Sequence, residues 1–308
     1  KITSTSLSGQ TICSGETTSL QVTTSGTNGT MSYSWNDAAT GDNRTNLSPS
    51  ATTTYTVTVA ATLNSCTVTS TASATITVNK PNFTGLENGD FVWRGVNADW
   101  NTESNWYKYS NSNYIVATAE PTTNDNVYIG ASTCIGTELP TASDEANVNN
   151  LTIESGKTLT LGNNTLNIAG NFNNAGTFDA TSGTVKFVGN NNQNISNELV
   201  LDNVTFDKTP QTTITAANGI TFNGTATFTK GIVNGNVPFT AAASVNGGNI
   251  NSYINGSATK IGGGNQFLFP VGSNDVYGGV KGDFLGSRTV GYRFSTSEDG
   301  FTTADMPV

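Results

Sequence analysis

Between about Asn147 and Gly262 the chain repeats one small unit many times. Examples are Val148-Asn149-Asn150-Leu151-Thr152-Ile153, Lys157-Thr158-Leu159-Thr160-Leu161, Asn164-Thr165-Leu166-Asn167-Ile168 and Thr184-Val185-Lys186-Phe187. Val204-Thr205-Phe206, Gly219-Ile220-Thr221-Phe222 and Ala226-Thr227-Phe228 continue the series. Apolar and small polar residues alternate within each unit, which is the signal of a strand with one buried face. Gly and Asn close the units, as in Ser155-Gly156 and Gly162-Asn163-Asn164, and supply the positive φ that tight turns need. A strand this short cannot bury a face alone, whereas a stack of them can. The pattern therefore predicts a β-solenoid with coils of near twenty residues. Phe172, Phe178, Phe187, Phe206, Phe222 and Phe228 are its candidate interior stackers. Asn190-Asn191-Asn192-Gln193-Asn194 has two readings, a side-chain ladder between coils or a solvated loop.

At 308 residues the chain has room for two or three domains. Charged residues make up 11%, the formal net charge is −9, and the 13 Lys and Arg are scattered. Nucleic-acid binding needs a basic stripe with interleaved aromatics, so nucleic acid is not an expected partner. No apolar run approaches the ~20 residues of a helical membrane span. Histidine is absent, which removes the commonest general base and metal ligand. Lys1 is preceded by no Met or apolar leader, and the expectation is a piece of a larger exported protein.

The first 80 residues carry strand-like runs at short spacing: Thr18–Thr23, Met31–Trp35, Thr53–Val59, Cys66–Thr69 and Ala72–Val78. Turns such as Ser25-Gly26-Thr27-Asn28-Gly29 separate them. Short strands with Cys13, Trp35 and Cys66 in that order fit an immunoglobulin-like sandwich. A Cys13–Cys66 disulfide around Trp35 is expected, worth roughly 4 kcal/mol by chain entropy, with two buried thiols as the other reading. Calcium is the one ion considered, at Asp37, Asp42 and Asn43. These residues lack EF-hand spacing and are ordinary turn formers, so no cofactor is expected.

Lys80-Pro81-Asn82 breaks the strand pattern, and three of the four tryptophans follow closely as Trp93, Trp100 and Trp106. Large aromatics can cover the open end of a solenoid. The alternative is a glycan-stacking platform of Trp93, Trp100 and Trp106, with Asp99 hydrogen-bonding sugar hydroxyls. Cys134 reads as a buried small hydrophobe. The carboxylates Asp179, Glu198, Asp202 and Asp207 stand singly among Asn and Thr. The odd spacing of Asp202 and Asp207 sends them to opposite faces of a regular strand. With no paired carboxylates, nucleophile and base, or metal set in view, no enzyme is expected and no catalytic residue is assigned.

Three stretches carry a resemblance. Ile12-Cys13-Ser14-Gly15-Glu16, Tyr33-Ser34-Trp35 and Pro49-Ser50-Ala51-Thr52-Thr53-Thr54-Tyr55 resemble bacterial immunoglobulin-like modules of large Bacteroidetes surface proteins. Asp99-Trp100-Asn101 and Asn105-Trp106, leading to Glu120-Pro121-Thr122-Thr123-Asn124-Asp125-Asn126-Val127, resemble the lead-in to β-helices of the same proteins. Tyr253-Ile254-Asn255-Gly256 and Phe267-Leu268-Phe269-Pro270-Val271-Gly272 resemble the place where such a helix ends and a further β-domain, using Thr289 to Phe294, begins. The resemblance implies an exported, extracellular cell-surface protein carried by type 9 secretion, of adhesin or gliding-motility type, with surface glycans or other surface proteins as partners. The expected architecture is all-β: an immunoglobulin-like sandwich over 1–80, a Trp-rich cap over 81–146, a right-handed β-solenoid over 147–262, and the start of a further β-domain over 263–308. The expected function is non-enzymatic display of binding modules away from the cell. A carbohydrate-binding or polysaccharide-degrading β-helix is the alternative.

Overall fold

Each short strand of the repetitive region pairs in parallel with the strand one coil earlier, as strands that cannot bury a face alone must. The computed structural model describes residues 2–26, 28–130, 134 and 140–291. Six strands form one flat side: Ala146–Val148, Thr165–Ile168, Thr184–Phe187, Asn203–Asp207, Thr225–Lys230 and Ser244–Gly247. A longer sheet makes the second side, running from Phe91–Trp93 through Leu151–Ile153 and Thr213–Ala216 to Ile254–Lys260 and Val271–Ser273. Thr158–Thr160 with Thr177–Asp179, and Leu199–Leu201 with Ile220–Phe222, line a third side. The chain is thus a β-solenoid of about six turns, as the alternation predicts.

Register keeps every face consistent. Leu166, Val185, Val204 and Ala226 stack inward as one column, and Ile168, Phe187, Phe206 and Phe228 as a second. Asn167, Lys186, Thr205 and Thr227 between them point outward. The Phe187 and Phe206 rings are stacked 5.6 Å apart at 7°, and Phe228 lies 4.9 Å from Phe206. Of the six expected stackers, five are buried and Phe178 is partly buried against the same core. A register shift between Phe206 and Asp207 sets Asp207 beside Lys230 on the next coil.

The asparagine turns are ladders. Asn126 Oδ1 accepts from the Asn150 side chain at 2.7 Å, Asn150 Oδ1 from the Asn171 amide at 2.6 Å, and Asn171 Oδ1 from the Asn194 amide at 2.8 Å. In the run whose reading was open, Asn192 accepts from the Thr213 amide, and buried Gln193 donates to the carbonyls of Ile168 and Gly170. Side-chain amides here satisfy turn backbone that the sheet hydrogen bonds do not reach.

Parallel pairing begins at Phe91–Trp93, well before residue 147, and reaches Val271–Ser273, beyond residue 262. Trp106–Ser110 and Asn113–Val116 fold as a hairpin whose first strand pairs antiparallel with Phe91–Trp93, which closes that end of the long sheet. At the other end Gly264–Phe269 and Val280–Phe284 form a hairpin whose Phe267, Phe269 and Phe284 join the solenoid core. Residues 263–291 therefore close the solenoid core, where the sequence pointed to a separate β-domain. Arg288–Gly291 pairs with Ile254–Lys260, and Tyr292, Arg293 and Phe294 lie outside the described residues.

The N-terminal unit has its own core of Ile12, Leu20, Trp35, Val57, Val59 and Ile76. A four-stranded sheet ordered Gln10–Cys13, Cys66–Asn79, Thr53–Leu63, Thr30–Trp35 lies around it, with the ribbons Thr18–Gln21/Asn43–Leu47 and Ser4–Ser6/Thr23–Ser25. The expected Cys13–Cys66 bridge is absent. Cys13 is bonded to Cys134, and Cys66 is an exposed free thiol. Strand geometry explains this. Cys13 pairs with Asn79 at one end of a 14-residue strand and Cys66 starts the other end, about 40 Å away, far outside disulfide reach. The bond therefore ties the N-terminal unit to the solenoid, and Cys134 is not the solitary buried thiol expected. Around it the Ser14 hydroxyl donates to the Tyr114 carbonyl at 2.8 Å, Arg94 meets Glu16 at 3.4 Å, and Lys80 donates to Asn113 at 2.7 Å.

Two measurements check this arrangement. Peptide mapping without reduction is expected to recover Cys13 and Cys134 as one crosslinked species and Cys66 alkylated. Trp106→Ala is expected to cost about 3–5 kcal/mol in urea unfolding, as for other large core truncations; a loss under about 1 kcal/mol would contradict its place at the centre of the cap.

Candidate functional site

The sequence offers the tryptophan cluster as a glycan platform, and the structure turns the rings inward. Trp93, Trp100 and Trp106 are all buried, with Trp106 edge-on to Trp93 at 4.9 Å and to Trp100 at 4.6 Å. Trp106 Nε1 donates to the Trp100 carbonyl at 2.9 Å. No indole face is open to a sugar, and the cluster is the end cap. Asp99 is occupied as well. Its carboxylate accepts from the Ser143 hydroxyl, from Thr102 Oγ1 at 2.8 Å and from the Asn101 amide at 3.0 Å. The Ser143 hydrogen bond, with help from Thr102, holds the Asp99 carboxyl below its ordinary range. These bonds, with the Asp99–Thr141 bridge, fasten the cap to the first coil.

The other candidates are likewise dispersed. Asp37 pairs with Arg44, and the Asp42 carbonyl accepts from the Val22 amide. Asn43 lies in the Asn43–Leu47 strand, so these three do not form an open calcium loop. Among the described residues no three His, Cys, Asp or Glu side chains group as metal ligands. Asp179 accepts from the Thr181 amide at 3.1 Å within its own turn, and Asp202 from the Ser182 amide of the preceding coil at 3.0 Å. Glu198 is exposed. Asp207 alone joins a cluster.

That cluster lies in a polar groove of about 910 Å³ that crosses successive coils, from Thr123 and Asn124 at one end to Pro210 and Lys230 at the other. Its centre holds Glu145, Asn167, Lys186, Asp207 and Lys208. Lys186 Nζ meets Asp207 Oδ2 at 3.0 Å. Asn167 donates to Glu145 at 2.5 Å and to Asn147 Oδ1 at 2.8 Å, while its own Oδ1, buried, has no hydrogen-bond partner. Lys208 is only 2% exposed and donates to the Val188 carbonyl at 2.8 Å. Gly231 makes room for its stem: a β-carbon there would sit 3.2 Å from the Lys208 methylenes. Burial lowers the Lys208 pKa to about 8.

Lys260 is a useful contrast. It too is buried, but its ammonium donates to three carbonyls, those of Thr240, Ala241 and Ala243, and lies over the Phe267 ring. All three donors of that ammonium are used. Lys260 belongs to the architecture, whereas Lys208, which lines the groove, donates to a single carbonyl, that of Val188.

Neither Lys208 nor Lys230 stands out in the sequence. The signal that would have found them is recurrence at coil spacing: Lys186, the pair Asp207-Lys208, and Lys230 occupy neighbouring coils. Comparison with protein-family models, curated proteins and solved structures gives no significant match, so the site is read from its own geometry.

The buried lysine has a pH signature. Its folded pKa of about 8 lies below the ordinary 10.5, so between these values the unfolded chain binds more protons and stability rises with pH. Tyr107 and Tyr114, held protonated above 10 by burial, act in the opposite direction at higher pH. Urea midpoints are expected to climb from pH 8 to pH 10, and Lys208→Met is expected to flatten that climb. An unchanged slope in the variant would assign it to another group.

Proposed function

We propose that this chain is a non-enzymatic module of an exported cell-surface protein of adhesin type, a stiff β-rod that holds a binding surface away from the cell. The observation that carries this reading is the continuous apolar core from Phe91 to Phe284, covered by aromatic hairpins at both ends. Such a core resists bending without needing to move, which suits display. The Cys13–Cys134 bond favours an oxidising compartment and so supports an extracellular place. Short Thr- and Asn-rich strands with few charges fit the same setting. In this reading the N-terminal unit, with Trp35 in its core, is an immunoglobulin-like spacer, and the solenoid is right-handed. The scattered Asp179, Glu198 and Asp202 speak against polysaccharide cleavage, because hydrolysis needs two carboxylates held across one bond.

The reading is tested on intact cells that make the native protein. Antibody against the purified rod is expected to label unpermeabilised cells, and brief external protease is expected to remove the label. Signal that appears only after lysis would overturn surface display.

A further inference from the structure

We infer that the groove over Lys208 and Lys230 is a binding site for a linear anionic polysaccharide. The inference deepens the display reading and rests on it, since it names what the rod holds out to bind.

Shape comes first. The groove takes lining residues from six coil levels: Asn124, Glu145, Asn167, Lys186, Lys208 and Lys230 mark one level each. At about 4.8 Å per coil this is a track of about 24 Å along the rod. A small metabolite does not need such a track, and an extended polymer does.

Charge comes second. The whole chain has 13 cationic against 22 acidic residues, while the groove has three lysines against Glu145 and Asp207. Asp207 is engaged by Lys186, and Glu145 accepts from Asn167. The charge left for a ligand comes from Lys208 and exposed Lys230, on adjacent coils. Lys208 is the telling residue. A buried ammonium with one carbonyl partner and no ion pair among the described residues is costly, and an incoming anion would be its counter-ion.

Hydrogen bonding comes third. Asn167 is 6% exposed and lines the groove, yet its Oδ1 lacks a donor. A simple anion brings only acceptors, whereas a sugar brings hydroxyl donors beside its carboxylate or sulfate. The two needs, an anion for Lys208 and a donor for Asn167, are met together by an acidic glycan. Among the described residues no aromatic ring lines the groove, which disfavours single-stranded nucleic acid, whose bases need stacking platforms.

Isothermal titration calorimetry on the whole chain tests this, with hexagalacturonate as the carboxylated probe, a sulfated hexasaccharide as the second anionic probe, and cellohexaose as the neutral control. Saturable binding to at least one anionic probe is expected, about tenfold or more tighter than to cellohexaose, and weakening with added salt. Which anionic probe binds better decides between carboxylate and sulfate as the recognised group. Lys230→Gln changes an exposed side chain and leaves the fold intact; it is expected to weaken binding about fivefold. Lys208→Gln is expected to abolish it, with circular dichroism confirming the fold. Affinity is expected to fall as pH rises past 8, as Lys208 loses its proton. Equal affinity for the neutral probe, tighter binding of a single-stranded DNA oligomer, or no effect of Lys230→Gln would overturn the inference. So would no binding at all, and surface labelling of cells would then still decide the display reading separately. Cleavage of a bound probe would overturn the non-enzymatic reading while leaving the groove assignment in place.

Discussion

The parallel hydrogen-bond ladder between coils is the interaction on which everything else depends. A strand such as Thr165–Ile168 has two inward side chains and no possibility of a core of its own. Once Leu166 lies over Val185 and Ile168 over Phe187, apolar surface is buried at every step and the next coil has a template. The cost of this plan falls on the two ends, where the stack would expose both its interior and a row of unpaired backbone groups. The tryptophan hairpin at one end and the phenylalanine hairpin at the other follow from that constraint. So does the inward turn of Trp93, Trp100 and Trp106, residues that in another setting would be good ligand contacts.

The outward face is governed by the same register. Residues between the inward columns lie one above another at coil spacing, so like side chains form rows. Asparagine rows satisfy turn backbone across the coils, and the lysines at 186, 208 and 230, which occupy different register columns, come from successive coils to line one groove. The groove is thus assembled from several coils rather than from any one of them.

Much of the architecture was legible because alternation at period two is a strong local signal. Val185, Phe187, Val204, Phe206 and Phe228 are inward in the sequence and in the structure. The run holding Asn192 and Asn194 had two readings in the sequence, ladder or solvated loop, because the partners that decide it, Thr213 and Asn171, lie a full coil away. The extent of the solenoid was less legible. Phe91–Trp93 is buried at all three positions and so shows no alternation, and Val271–Ser273 follows a proline that reads as a boundary. The disulfide was misread because Cys13, Trp35 and Cys66 stand in a familiar order, while strand length, which separates Cys13 from Cys66, is not a local property. The groove escaped for a similar reason: Lys208 is buried by neighbours on other coils, and nothing in its own segment marks it.

The Cys13–Cys134 bond has a mechanical consequence. For a pull applied between the two chain termini, tension entering near residue 1 passes from Cys13 through sulfur directly to Cys134. The 121-residue span that the bond closes contains nearly all of the N-terminal sheet and the whole tryptophan hairpin. That span lies outside the line of force. A tethered molecule under shear would therefore load the coils after Cys134 while the cap and the part of the N-terminal unit after Cys13 lay beside the covalent stressed path.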